Sequence, residues 1–109
     1  MQNFPNEAVE SILVSLTIAG TNQVIFTPPT GKRVQIVSVE GSADAITRLR
    51  IHFGATPGPK PLAGGYVAAG GGFVKPFGKA GQVGAVNEAV NADMSAAANA
   101  DVILTYILS

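Results

Sequence analysis

One histidine, no cysteine, and seven Asp and Glu residues are all that this chain offers for acid–base, nucleophilic or metal chemistry. His52 would be its one general base near neutral pH. It lies in Arg48-Leu49-Arg50-Ile51-His52-Phe53. Read as a strand, this segment puts Arg48, Arg50 and His52 on one face and Leu49, Ile51 and Phe53 on the other. The polar face is a compact basic ridge. It is either a solvated outer sheet face or a surface that orients a partner, and His52 is a solvated or interface histidine. A metal centre of the β-barrel enzyme kind needs two or three His with a carboxylate, which one copy of this chain cannot assemble. Three copies of His52 around an axis would be needed instead.

The other candidate chemistry fails on spacing. Asp44, Asp93 and Asp101 are isolated, with no calcium-loop pattern, and no nucleophile elbow is present. Pro29-Thr30-Gly31-Lys32 ends like a phosphate-binding loop. However, Phe26 stands where the first glycine belongs, and Arg33 where the magnesium-binding Ser or Thr belongs. Gly78, Gly81 and Gly84 have the wrong spacing for a dinucleotide fingerprint and do not open a helix. No catalytic, cofactor-binding or metal-binding residue is assigned. The chain is expected to be non-enzymatic and to need no cofactor.

The elements that would carry these residues are strands. Ile12 to Ile18 alternates, with Ile12, Val14, Leu16 and Ile18 on one face and Leu13, Ser15 and Thr17 on the other. Gly20 to Asn22 reads as a turn and Gln23 to Thr27 as the returning strand. Val34 to Glu40 changes face partway, which points to a β-bulge or to burial on both faces. Thr47 to Phe53 alternates most cleanly. Leu62 to Ala69 and Gly72 to Phe77 are weaker strands, and Glu88 to Met94 buries Val90, Ala92 and Met94. A small-residue turn, Ser95 to Asn99, precedes the last strand, Ala100 to Leu108. Gly and Pro supply the turns between them.

These eight strands in residues 1–109 predict a single all-β domain, an antiparallel β-sandwich wired as an eight-stranded jelly roll. Leu49, Ile51, Phe53, Ile12, Val14, Leu16, Val90 and Tyr106 are expected in or beside the core.

Charged residues make up 13% of the chain, against about 25% in ordinary soluble domains. The hydrophobic share is 47%, though the many Ala and Gly inflate it. Seven basic and seven acidic residues leave a net charge of zero. No basic arm or stripe supports nucleic-acid binding. The apolar runs fall short of the ~20 residues that span a bilayer, and Met1 to Glu10 is not read as a signal peptide.

In the last strand Val102, Leu104, Tyr106 and Leu108 form one face, with Ile103, Thr105 and Ile107 on the other. Both faces are apolar, so one needs separate cover, from a neighbouring subunit or from the chain itself. A homo-oligomer, a trimer first of all, is expected. Its interface would use Ile103, Ile107 and the N-terminal segment around Phe4 and Pro5, with Arg48, Arg50 and His52 as further interface candidates. Glu88, Asp93 and Asp101, in a C-terminal third with no Lys or Arg after Lys79, are the opposite charges that the basic ridge can meet within a fold or between subunits.

Three segments and the ending resemble the small β-sandwich virion proteins of tailed bacteriophages, above all head decoration or cement proteins. The segments are Pro29-Thr30-Gly31-Lys32-Arg33-Val34-Gln35-Ile36, Arg48-Leu49-Arg50-Ile51-His52-Phe53-Gly54 and Phe73-Val74-Lys75-Pro76-Phe77-Gly78. The ending is Asn91-Ala92-Asp93-Met94-Ser95-Ala96-Ala97-Ala98-Asn99 followed by Val102-Ile103-Leu104-Thr105-Tyr106. The resemblance implies a jelly-roll-like structural protein on the outer capsid surface of a virion. Its partners would be the major capsid protein and further copies of itself, with no nucleic acid or membrane. It equally admits a tail- or fibre-associated module that recognises a glycan or receptor. The absence of Trp weakens that alternative, because flat glycan sites favour exposed aromatics.

Overall fold

The alternating segments form nine strands in a computed structural model that describes residues 9–54, 60–78 and 82–109. They are β1 (Glu10–Leu16), β2 (Gly20–Phe26), β3 (Val34–Ala43), β4 (Thr47–Phe53), β5 (Lys60–Val67), β6 (Gly72–Pro76), β7 (Gln82–Val83), β8 (Val90–Met94) and β9 (Ala100–Leu108). No helix occurs among the described residues. One sheet has the order β1-β9-β3-β6, with β7 also paired to β3; the other runs β2-β8-β4-β5. Every pairing is antiparallel. The two sheets pack as a β-sandwich.

Consecutive strands almost always change sheet. Only β4–β5 and β6–β7 stay within one sheet, so the core is closed from both sides by segments far apart in sequence. β7 is the strand beyond the expected eight. Gln82 and Val83 pair with Ile36 and Gln35 inside what reads as a glycine connection.

The core is the inward register of both sheets. Val34, Ile36, Val39, Val102 and Leu104 from one sheet meet Leu49, Ile51, Phe53, Val90 and Ala92 from the other, and all are buried. Burying each large apolar side chain is worth about 1.5–3 kcal/mol, and this is the main force holding the sheets together. Ile12 and Val14 are partly buried against this cluster, Leu16 and Tyr106 lie within it, and the Tyr106 ring stacks at 4.5 Å on Phe26. All eight residues expected in or beside the core are there. Ile18 is not: β1 ends at Leu16, and Ile18 is exposed in the turn.

The face change in β3 is a bulge. Ile36 pairs with Tyr106 and Ser38 with Thr105, leaving Val37 unmatched. The Val37 carbonyl accepts from the N–H groups of Phe77 and Gly78, at 2.7 and 3.2 Å, where the chain leaves β6. Gly41 sits on the inward face beneath Phe73, whose ring occupies the space that a Cβ would need.

The small-residue turn before β9 is tied down by its neighbours. The buried Thr47 hydroxyl donates to the Ala96 carbonyl at 3.0 Å and accepts from the Ala96 N–H at 3.1 Å. Asp44 accepts from both the N–H and the side-chain amide of Asn99, at 2.8 and 2.7 Å, which holds its carboxyl below the usual aspartate range.

Candidate interaction surfaces

The antiparallel register fixes what each sheet turns outward. On the β2-β8-β4-β5 sheet, Val24, Asn91, His52 and Pro61 form one outward row. Asp93, Arg50 and Gly64 form the next, and Arg48 and Tyr66 the next again. Arg50 and Asp93 face each other at 3.7 Å. His52 Nε2 lies 3.1 Å from Asp93 Oδ1, which also accepts from the Asn22 N–H at 2.9 Å. Asn22 takes a φ of 55° to deliver that N–H, a conformation Asn tolerates better than most residues. The Asn91 side chain donates to the Gly54 carbonyl at 2.7 Å.

Beside this cluster lies a hollow of about 340 Å³, lined by Arg48, Arg50, His52, Asp93 and the backbone of Gly64 and Gly65. The glycines are required here. Their φ values are 151° and 152°, and a Cβ on Gly64 would meet the Leu49 carbonyl oxygen at 2.5 Å. Tyr66 stands 79% exposed at the rim, with the Arg48 guanidinium 5.8 Å from its ring centre.

The β1-β9-β3-β6 sheet turns a different surface outward. Its rows are Ser11, Thr105, Ser38 and Pro76, then Leu13, Ile103, Glu40 and Val74, then Ser15, Asp101, Ser42 and Gly72. Ser11 and Thr105 hydroxyls bond at 3.0 Å, and Ser15 donates to Asp101 at 2.7 Å. Leu13 and Val74 are exposed. In these three rows the charged side chains are Glu40 and Asp101, both exposed and both acidic. They border a second hollow of about 350 Å³ around Gly72.

The sequence-derived candidates divide among these places. Arg48 and Arg50 are together at the first hollow, Arg48 exposed and Arg50 partly so. His52 is on the same face as expected, but it is buried rather than solvent-facing, because it is packed into the Asp93 cluster. Ile103 is half-buried on the opposite outer face. Ile107 turns to that same face but is 5% exposed, so it is not a spare apolar surface: it is already covered. Phe4 and Pro5 lie outside the described residues. Of the acidic partners, Asp93 meets the ridge, Glu88 pairs with Lys60 at 3.0 Å, and Asp101 lies on the other sheet. Sequence reasoning missed Glu40, Tyr66 and the Gly64–Gly65 floor. The available signal was Gly-Gly-Tyr in a weak strand, where a large ring follows two residues that cannot fill a core.

Among the described residues no group of three or more His, Cys, Asp or Glu side chains could hold a metal ion. What these surfaces can do chemically is bind, through charge, hydrogen bonds and apolar contact.

No protein-family model matches the chain, and no curated protein matches it. Its fold is similar to a solved chain of Bacillus endospore appendages, which form a family of disulfide-linked pili. The TM-score is 0.54 at 14% identity, and the match covers 99% of this chain and 95% of that one. The likeness is one of fold. It carries nothing specific to phage head decoration proteins, so that finer resemblance stands on the sequence segments alone. The present 109 residues hold no cysteine, so a disulfide linkage cannot be made through them.

Proposed function

We propose that this chain is a non-enzymatic structural protein that works as many copies in an assembly exposed to the exterior. The observation that carries this reading is the end-to-end likeness in fold, 99% and 95% of the two chains, to a protein of endospore appendages that form disulfide-linked pili. Two properties of the chain agree with it. It has net charge zero, which favours association over dispersal. It also exposes large apolar side chains on both sheet faces, Leu13 and Val74 on one and Val24 and Tyr66 on the other. The strand wiring, β1-β9-β3-β6 against β2-β8-β4-β5, is read as a jelly roll. Within this class the finer reading is a decoration protein on the outside of a phage capsid, with the major capsid protein as partner; it rests on the segments from Pro29 to the final strand.

Sedimentation and negative-stain microscopy of the purified chain test the general reading. Discrete oligomers or filaments are expected. A monomer of 11.1 kDa at all attainable concentrations, neither self-associating nor sedimenting with any shell, would overturn it. Cosedimentation with shells of a major capsid protein encoded beside this gene tests the finer one.

A second reading, a glycan- or receptor-binding module, is favoured by one observation: Tyr66 stands exposed beside the arginine-lined hollow. Binding of glycans to the isolated chain that Tyr66→Ser abolishes would favour it.

A further inference from the structure

The charges on the two outer faces of the sandwich are segregated by sign. The β1-β9-β3-β6 face presents Glu40 and Asp101 to solvent without a base in its three central rows. The β2-β8-β4-β5 face presents Arg48 and Arg50, while the one acid of its outward rows among the described residues, Asp93, is buried against Arg50. In each case the charges border a hollow lined in part by glycine: Gly72 on the acidic face, Gly64 and Gly65 on the basic one. In each case apolar groups stand proud beside the hollow, Val74 on one face and Tyr66 on the other. The two faces therefore match in charge and in kind of relief, and they point in opposite directions.

We propose that copies of this chain stack face to face, the Glu40–Asp101 surface of one docking on the Arg48–Arg50 surface of the next. This deepens the assembly reading and rests on it. The partner is a second copy because both halves of the complementary pair are on every molecule. Such a contact is heterologous: each copy uses one surface to bind and leaves the other free, so it yields a ring or an open filament rather than a closed dimer. Sheets packed face to face lie about 10 Å apart, so a straight stack would advance by roughly 20 Å per copy. Charge sets the register and the polarity of the stack, and apolar contact from Tyr66, Val24, Leu13 and Val74 supplies most of its strength.

The test is a charge swap read by sedimentation at about 20 mM salt, where screening is weak. One variant carries Glu40→Lys with Asp101→Lys; the other carries Arg48→Glu, which leaves the Arg50–Asp93 pair intact. Each variant alone should lose association at least tenfold while keeping the wild-type melting curve. An equimolar mixture should regain it, because the first then has two basic faces and the second two acidic ones. Raising salt to about 500 mM should weaken the wild-type stack and the mixture alike. If wild type associates and folded variants associate equally well alone, the faces do not mediate assembly, and the proposal falls while the assembly function stands. Folded variants that lose association but fail to complement each other also overturn it. A wild type that does not associate at all removes both this inference and the function on which it rests.

Discussion

Asp93 Oδ1 and His52 Nε2 lie 3.1 Å apart on side chains that both point away from the hydrophobic core, yet both residues are at most 5% exposed. The pair is part of a larger arrangement. Asp93 also accepts from the Asn22 N–H and faces Arg50, so three segments of the chain converge on one carboxylate. A carboxylate with several hydrogen-bond partners in a sparsely hydrated place ties β2, β8 and β4 together on their outer side. The basic surface is thus supported from beneath.

Asp93→Ala removes that support. It takes away the carboxylate to which the buried His52 ring nitrogen and the Asn22 N–H are bonded, at a cost of about 3 kcal/mol. In a urea titration this is a fall of roughly 2 M in midpoint, taking about 1.5 kcal/mol per M for the slope. Asp93→Asn keeps an acceptor oxygen and should lose about half as much. A loss under about 0.5 kcal/mol for the alanine variant would show that the cluster does not hold the sheet.

Much of this fold was legible in the sequence, and the exceptions have physical causes. β4 and β9 run from Thr47 to Phe53 and from Ala100 to Leu108, as their alternation predicts. The bulge in β3 was visible because inserting one residue moves every later side chain to the other face. β7 was not visible: two residues between glycines carry no period. Gly20 to Asn22 read as a turn, but they belong to β2: Gly20 pairs with Met94, and the register shifts across Thr21 and Asn22, the latter at positive φ, before Gln23 pairs with Ala92. The two charged surfaces were only half legible. Period two assigns Arg48, Arg50 and His52 to one face, but it is silent on which distant strands bring Asp93 beneath them or set Glu40 beside Ile103. It also assigns a face without saying what covers it, which is why His52 and Ile107 are outward in register and yet buried.

Gly64 and Gly65 look equivalent in sequence and share nearly the same φ, but only Gly64 is pressed against β4. Gly64→Ala would set a Cβ against the Leu49 carbonyl and the Arg50 Cα, so β5 must shift away from its partner. The expected cost is about 3 kcal/mol, against about 1 kcal/mol of backbone strain for Gly65→Ala. Thermal melts of the two variants make the comparison. Equal effects would mean that β5 yields freely at Gly64.

Acid should weaken the protein through Glu88. Its carboxylate accepts from the Ala85 N–H at 2.9 Å and pairs with Lys60 at 3.0 Å, and these contacts hold its pKa below the usual glutamate value, chiefly through the Ala85 bond. The unfolded chain therefore binds this proton more readily than the folded one. The contribution is full above the unfolded value of about 4.3 and is lost as pH falls through the lower folded value. The wild type should lose stability between about pH 5 and pH 3, and Glu88→Gln should show a shallower decline over that range. Identical slopes for the two proteins would remove Glu88 from the account.

Ile103 and Ile107 separate fold from assembly. The two are equivalent in the alternation of β9, two strand periods apart on its outward side. In the structure they are not. Ile107 is covered, whereas Ile103 is half-buried in the row that runs from Leu13 through Glu40 to Val74. Ile107→Asp would bury a carboxylate without a designed partner and should destabilise the isolated chain by about 3–4 kcal/mol. Ile103→Asp can turn its charge toward solvent and should cost about 1 kcal/mol in the isolated chain. Its larger effect should fall on association, since it adds a third acid beside Glu40 and Asp101 and removes apolar contact from the centre of that face. Chemical denaturation and sedimentation on the same two variants read the two quantities separately. Ile103→Asp that unfolds as readily as Ile107→Asp would mean that the central row is core rather than surface, and that the acidic face is not free to receive a second copy.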